Sequence, residues 1–266
     1  MPESPQSKFV KVNGINMHYL EWGRPGAPDV LLVHGWTGWA QHWNYVASQL
    51  QGDYHVIAPD HRGHGESDKP VTGYRLRDFA EDMHQLIRAL GLKRPLYAGN
   101  SWGGCIGTIL AANYPQDISK AFLGDPVYWR MLNAFVTNLL PILARRRRSD
   151  DDLRAEMRQA GQSEEAIETE LVRLRKFSED ALTRLLTDNR DFAFACEECL
   201  RRIQVPTTII AADPAAGGYI LNEEADYLEG ISSQAVKWVR WPGVGHGVLA
   251  ARPDQYLQEL RAFFAQ

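Results

Sequence analysis

An apolar run that ends in Gly-x-Ser-x-Gly, Leu96-Tyr97-Ala98-Gly99-Asn100-Ser101-Trp102-Gly103-Gly104, constrains this chain more than any other stretch. A short buried strand has to turn into a helix within two residues, and the corner residue takes a strained backbone conformation. The positions two before and two after it must then be nearly without side chains. Gly99 and Gly103 meet that demand. Such a corner lifts the Ser101 hydroxyl above the end of a sheet and aims the next N–H at whatever the oxygen attacks. The bland alternative is a glycine-rich loop before a helix, and the motif alone does not choose between the two.

The rest of the chain supplies the sheet that such a corner needs. Val30–Val33, Tyr54–Ala58, Leu96–Ala98 and Lys120–Leu123 are short apolar runs bounded by polar or turn residues, the pattern of buried strands. Between the second and third runs, Leu76, Phe79, Ala80, Met83, Leu86, Ile87 and Leu90 fall on one face of a helix closed by Gly91. This alternation predicts an α/β fold, a parallel sheet with helices on both faces. Strand-like sequence stops near residue 127. It returns at Pro206–Ala212 and Ala235–Val239, and Gln255–Phe264 reads as a closing amphipathic helix.

The intervening segment holds Ser149 before Asp150-Asp151-Asp152, a helix start, and a stripe of Ile167, Leu171, Leu174 and Phe177. It is too long for an ordinary connection and is expected to form a helical lid. The expected domains are a core of residues 1–126 and 204–266 and a cap of residues 127–203.

The 266 residues, with 44% hydrophobic and 23% charged, fit one large α/β unit. A net charge of −4 gives no basis for a nucleic-acid partner, and no apolar run is long enough to span a bilayer. The first residues lack a positive region followed by an apolar stretch, so no secretory signal is expected. Three cysteines, Cys105, Cys196 and Cys199, suit a reducing compartment, and a cytoplasmic location is expected. Cys196-Glu197-Glu198-Cys199 has the spacing of a metal half-site, but no second Cys or His pair lies nearby, so neither metal nor cofactor is expected. Arg145–Arg148 reads as a solvated helix end rather than an anion-attracting rim, because acids follow it immediately.

A serine hydroxyl is a poor nucleophile until a base takes its proton, and the base needs a third group to orient it. Among eight histidines, His246 in Gly243-Val244-Gly245-His246-Gly247 follows the last strand signal and precedes the closing helix. It is the candidate base. Acyl transfer also needs donors for the developing oxyanion. Val33-His34-Gly35-Trp36-Thr37-Gly38 follows the first buried strand, and the N–H groups of Trp36 and Trp102 are the candidates.

Four blocks together resemble the α/β-hydrolase fold superfamily: His34–Gly38, Asp60-His61-Arg62-Gly63-His64-Gly65-Glu66-Ser67, Gly99–Gly104 and Gly245-His246. They come in that family's order and at its usual separations, covering residues from about 10 to the end. The resemblance implies an eight-stranded, mostly parallel sheet with a helical cap inserted after strand six. It implies a structural, loop-shaping role for the Asp60–Ser67 block. It leaves two candidates for the acid. The family's usual acid follows strand seven, where Asp213 stands about two residues early; its other solution places the acid after strand six, where Asp125 stands. Asp125 is preferred, with Asp213 the alternative, and the loser is expected to fix a loop by accepting backbone N–H bonds.

The nucleophile narrows the chemistry further. Haloalkane dehalogenases and epoxide hydrolases also carry Trp after the nucleophile, but they need a carboxylate where Ser101 stands. Serine points to an acyl-enzyme and to hydrolysis of an ester, lactone or thioester. Asn100 resembles the pattern of meta-cleavage-product hydrolases, which break carbon–carbon bonds, and an acid after strand six resembles the cofactor-free dioxygenases. A non-enzymatic receptor of the same fold is a further alternative. His34, Trp39, Tyr128, Trp129, Met131 and Phe135, with Trp36 and Trp102, are expected to line a pocket for an apolar or aromatic small molecule, about half of the aromatics facing it. A monomer or homodimer is expected.

Overall fold

The computed structural model describes residues 4–128, 132–189 and 191–266. Among them, eight strands form one sheet: β1 (Gln6–Val12), β2 (Ile15–Trp22), β3 (Asp29–Val33), β4 (His55–Pro59), β5 (Leu96–Asn100), β6 (Lys120–Gly124), β7 (Thr207–Ala212) and β8 (Val236–Trp241). Their spatial order is β1-β2-β4-β3-β5-β6-β7-β8. The β1–β2 and β2–β4 pairings are antiparallel and the remaining five are parallel, so β2 alone runs against the others.

The apolar runs of the sequence become the inner strands. Val30 and Leu32 point to one face, among Val46, Leu50, Tyr256 and Leu260 of α1 (Asn44–Leu50) and α11 (Pro253–Ala265). Leu31 and Val33 point to the other, among Phe79, Met83, Ile106 and Leu110 of α2 (Leu76–Ala89) and α3 (Trp102–Asn113). That alternation is why both faces of these strands read as apolar. The β1–β2 hairpin differs: β1 alternates instead of running, and a search for continuous apolar runs passes over it. Its turn is Asn13-Gly14, both at positive φ (43° and 77°), with Val12 opposite Ile15, the geometry that Asn-Gly favours.

Between β6 and β7 the chain forms α4 (Leu132–Arg146), α5 (Asp150–Gln159), α6 (Glu164–Arg175), α7 (Glu179–Asp188) and α8 (Phe192–Arg202). Ser149, Ser163 and Ser178 begin α5, α6 and α7, each side chain accepting the N–H of the residue three further on. Ile167, Leu171, Leu174 and Phe177 are buried. The basic run is spent internally: Arg145 pairs with Glu170, Arg147 with Glu179 and Arg148 with Glu156, while Arg146 donates to the Phe177 carbonyl. Helices α9 (Asn222–Ile231) and α10 (Val248–Ala251) complete the fold. Among the described residues no helix is long and apolar enough to cross a membrane.

Candidate active site

Ser101 occupies the corner between β5 and α3 at φ 56°, ψ −119°. A non-glycine residue there carries a strain of about 1–3 kcal/mol, so its surroundings must hold it. They do. The Ser101 N–H donates to the Gly124 carbonyl at 2.8 Å, and the Tyr97 hydroxyl donates to the Gly103 carbonyl at 2.5 Å. A Cβ on Gly99 would overlap the Gly103 carbonyl, and one on Gly103 would overlap that of Val33. Because α3 starts at Trp102, the positive end of its dipole faces the hydroxyl.

His246 sits in the loop between β8 and α10. Its Nε2 lies 2.9 Å from Ser101 Oγ, and its Nδ1 lies 2.6 Å from Asp125 Oδ2. Asp125 is fully buried at the C-terminal end of β6, itself at φ 39°. Its Oδ1 accepts the Ala212 N–H at 3.0 Å and its Oδ2 accepts the Tyr219 N–H at 3.1 Å. These bonds hold the carboxylate in one orientation, with no ion pair to Lys or Arg among the described residues. Asp213 does not touch the imidazole. Its oxygens accept the Ala215 N–H at 2.9 Å and the Gly243 N–H at 2.8 Å, and those two bonds keep its carboxyl below the usual range. Asp213 ties the β7 turn to the loop before His246.

The loop after β3 is built around its own peptide groups. The Gly35 carbonyl accepts from His34 Nδ1 at 2.7 Å and from the Gly38 N–H at 3.0 Å. In a planar trans peptide the N–H points opposite to the C=O, so the Trp36 N–H is turned away from both donors. His34 Nε2 accepts the His61 N–H at 3.1 Å, which fixes the His34 tautomer. His61 Nε2 in turn donates to the His34 carbonyl at 2.8 Å. Burial and the neighbouring imidazole push both rings well below the ordinary histidine range, and both are neutral. A Cβ on Gly35 would lie 3.0 Å from Ser101 Cβ, so a side chain at 35 would crowd the hydroxyl.

Residues 28–151 match the α/β hydrolase fold family model. The chain has the α/β-hydrolase fold, and over those residues it is similar to that family. Among curated relatives, it is 33% identical over 113 residues to human epoxide hydrolase 4, covering 42% of this chain and 31% of that protein. It is 38% identical over 120 residues to lipase 1 of Psychrobacter immobilis, covering 44% and 38%. The matches therefore span less than half of either relative. The crystal structure of E-2-(acetamidomethylene)succinate hydrolase superposes with a TM-score of 0.78 at 21% identity, over 99% of this chain and 100% of that one.

A cavity of about 590 Å³ opens over Ser101 and His246. Trp43, Tyr45, Leu139, Ile142, Val248 and Leu249 give it apolar walls; His42, Asn138 and Tyr219 add polar groups. No Asp, Glu, Lys or Arg stands among the described lining residues. Several sequence expectations need correction here. Trp39 is not in the wall; its ring packs on His42 at 4.2 Å between centroids. Tyr128 is not in the wall either. It is buried and pairs its hydroxyl with that of Thr108 at 2.8 Å, since an aromatic of that size earns more from core packing than from a wet surface. The Trp102 ring is buried against Trp36 (4.8 Å) and Phe79 (5.9 Å), outside the wall. His34 does reach the wall, but both its ring nitrogens are engaged within the protein. Trp129 and Met131 lie outside the described residues, as does the side chain of Phe135. Leu139 and Ile142, three apart on α4, carry a helical signal that could have found them; nothing in the sequence singles out Tyr45, Asn138 or Tyr219.

Proposed function

We propose that this protein is a serine hydrolase that cleaves a carboxylic ester, or a lactone or thioester, of an apolar or aromatic small molecule. The observation that carries the reading is the unbroken chain from Ser101 Oγ through His246 to Asp125, at 2.9 and 2.6 Å, beneath a cavity without fixed charge in its described walls. In the proposed mechanism His246 Nε2 takes the Ser101 proton as the hydroxyl oxygen attacks the carbonyl carbon. Asp125 accepts from Nδ1–H, holds the ring and stabilises the imidazolium. The N–H groups of Trp36 and Trp102 meet the developing oxyanion. His246 then protonates the leaving alcohol, and water, activated by the same imidazole, releases the acid from Ser101. Residues 127–203 act as the cap over this site, and the chemistry needs neither metal nor cofactor.

An alkyl-enzyme ester of the kind an epoxide-opening mechanism forms needs a carboxylate nucleophile, and position 101 is serine. The asparagine that suggests carbon–carbon bond hydrolysis has its amide oxygen taken by the Tyr256 hydroxyl at 3.1 Å, with its side chain against Gly124. Hydrolysis of p-nitrophenyl butyrate without added metal is the test. Ser101→Ala should abolish turnover, a loss of at least about 10³-fold, while circular dichroism remains unchanged. Activity retained by Ser101→Ala sinks the mechanism.

A further inference from the structure

One side chain joins the cap to the charge-relay group. Tyr219 follows the Gly217-Gly218 turn that leaves β7. Its N–H donates to Asp125 Oδ2, the same oxygen that lies against His246 Nδ1. Its ring stands against the His246 imidazole with centroids 4.3 Å apart and planes at 86°. Its hydroxyl accepts from Asn138 Nδ2, on α4, at 2.7 Å. Both Tyr219 and Asn138 line the cavity.

These contacts have a mechanical meaning. An imidazole that has just taken a proton must stay aligned until it can return it, and rotation about its Cβ–Cγ bond breaks the links to Ser101 and Asp125 together. A ring packed against the imidazole obstructs that rotation, and the bond to Asn138 holds the ring there. We propose that Tyr219 is a positioning residue, tied to the cap through Asn138, that keeps His246 in register with Ser101 during turnover. The inference rests on the serine-hydrolase reading above.

A double-mutant cycle tests it, with p-nitrophenyl acetate and octanoate as probes. Tyr219→Phe keeps the ring and removes the bond to Asn138; Asn138→Ala removes the same bond from the other side. Each should lower kcat by about 3- to 10-fold, with KM changing less than about twofold, and the double variant should be no worse than either single one. Tyr219→Ala also removes the ring and should lose about another 10-fold in kcat, so that Tyr219→Phe stands as the partial rescue. Losses that add in the double variant, or that fall on KM alone, overturn the proposal. A wild-type protein inactive on every ester overturns the hydrolase reading and this inference together, whereas an active wild type with additive losses overturns only the inference. If Tyr219→Ala does not fold, the Phe and Ala cycle at 219 and 138 decides alone.

Discussion

Lowering the pH from 6 to 5 is expected to remove stability by way of two imidazoles that have no place for a second proton. His34 already donates from Nδ1 to the Gly35 carbonyl, and its Nε2 is occupied as an acceptor of the His61 N–H. A proton on Nε2 would face that N–H head-on. His61 donates from Nε2 to the His34 carbonyl, and its Nδ1 is buried with no hydrogen-bond partner among the described residues. A proton there would be a buried charge without an acceptor. Both rings titrate well below the ordinary value in the folded protein, chiefly through burial. In the unfolded chain they titrate near 6.5. The unfolded state therefore binds more protons below that pH, and stability present above about pH 6.5 is lost as the pH falls.

For a histidine that stays neutral when folded, the loss between pH 6 and 5 is about 1.2 kcal/mol, and for the two together about 2.4 kcal/mol. Urea unfolding followed by the fluorescence of the eight tryptophans measures it. Other groups also titrate in that window, so the difference between wild type and His61→Gln isolates the effect. Glutamine can keep a donor near the His34 carbonyl, and the variant should lose about 1.2 kcal/mol less than wild type between the two pH values. Equal losses in the two proteins would refute the argument that His61 is held neutral.

Two further outcomes separate the roles of neighbouring residues. Asp125→Asn should lower kcat by about 10³- to 10⁴-fold, because an amide in that place favours the wrong imidazole tautomer; Asp213→Asn should change kcat by less than about threefold, and the two rates measured side by side decide the acid. Gly103→Ala should leave little soluble folded protein, since its methyl has no space beside the Val33 carbonyl, and a melting transition at the wild-type temperature would contradict that.

What the sequence disclosed follows from how local each signal is. The inner strands were legible because burial on both faces makes a continuous apolar run, and the elbow because only glycine fits at 99 and 103. Ser101 could be named from its motif, His246 from its order after the last strand and Asp125, with Asp213 as the alternative, from the family resemblance, and the structure brings the first three within hydrogen-bond reach. The β1–β2 hairpin carried a signal, Asn13-Gly14 between alternating residues, that a search for apolar runs does not weigh. The cavity wall was legible least. Trp39 and Tyr128 were expected there on residue type, yet whether an aromatic faces a cavity or a core depends on which helix crosses above it. Tyr219 and Asn138 meet because α4 passes beside the β7 turn, a contact between positions 81 apart with no pattern of its own.

Asp125 also marks a seam in the chain. The helical segment α4–α8 begins beyond it, and the chain comes back at β7, the direct parallel neighbour of β6. The same carboxylate that faces His246 accepts N–H groups from Ala212 and Tyr219, on the far side of that excursion. The two ends of the segment between β6 and β7 are thus tied together at its base. A segment anchored in this way could change its lining without moving the carboxylate that faces His246. On the proposed reading, the lining of that segment and the Ser101–His246–Asp125 chain would be separable, with Tyr219 reaching from one to the other.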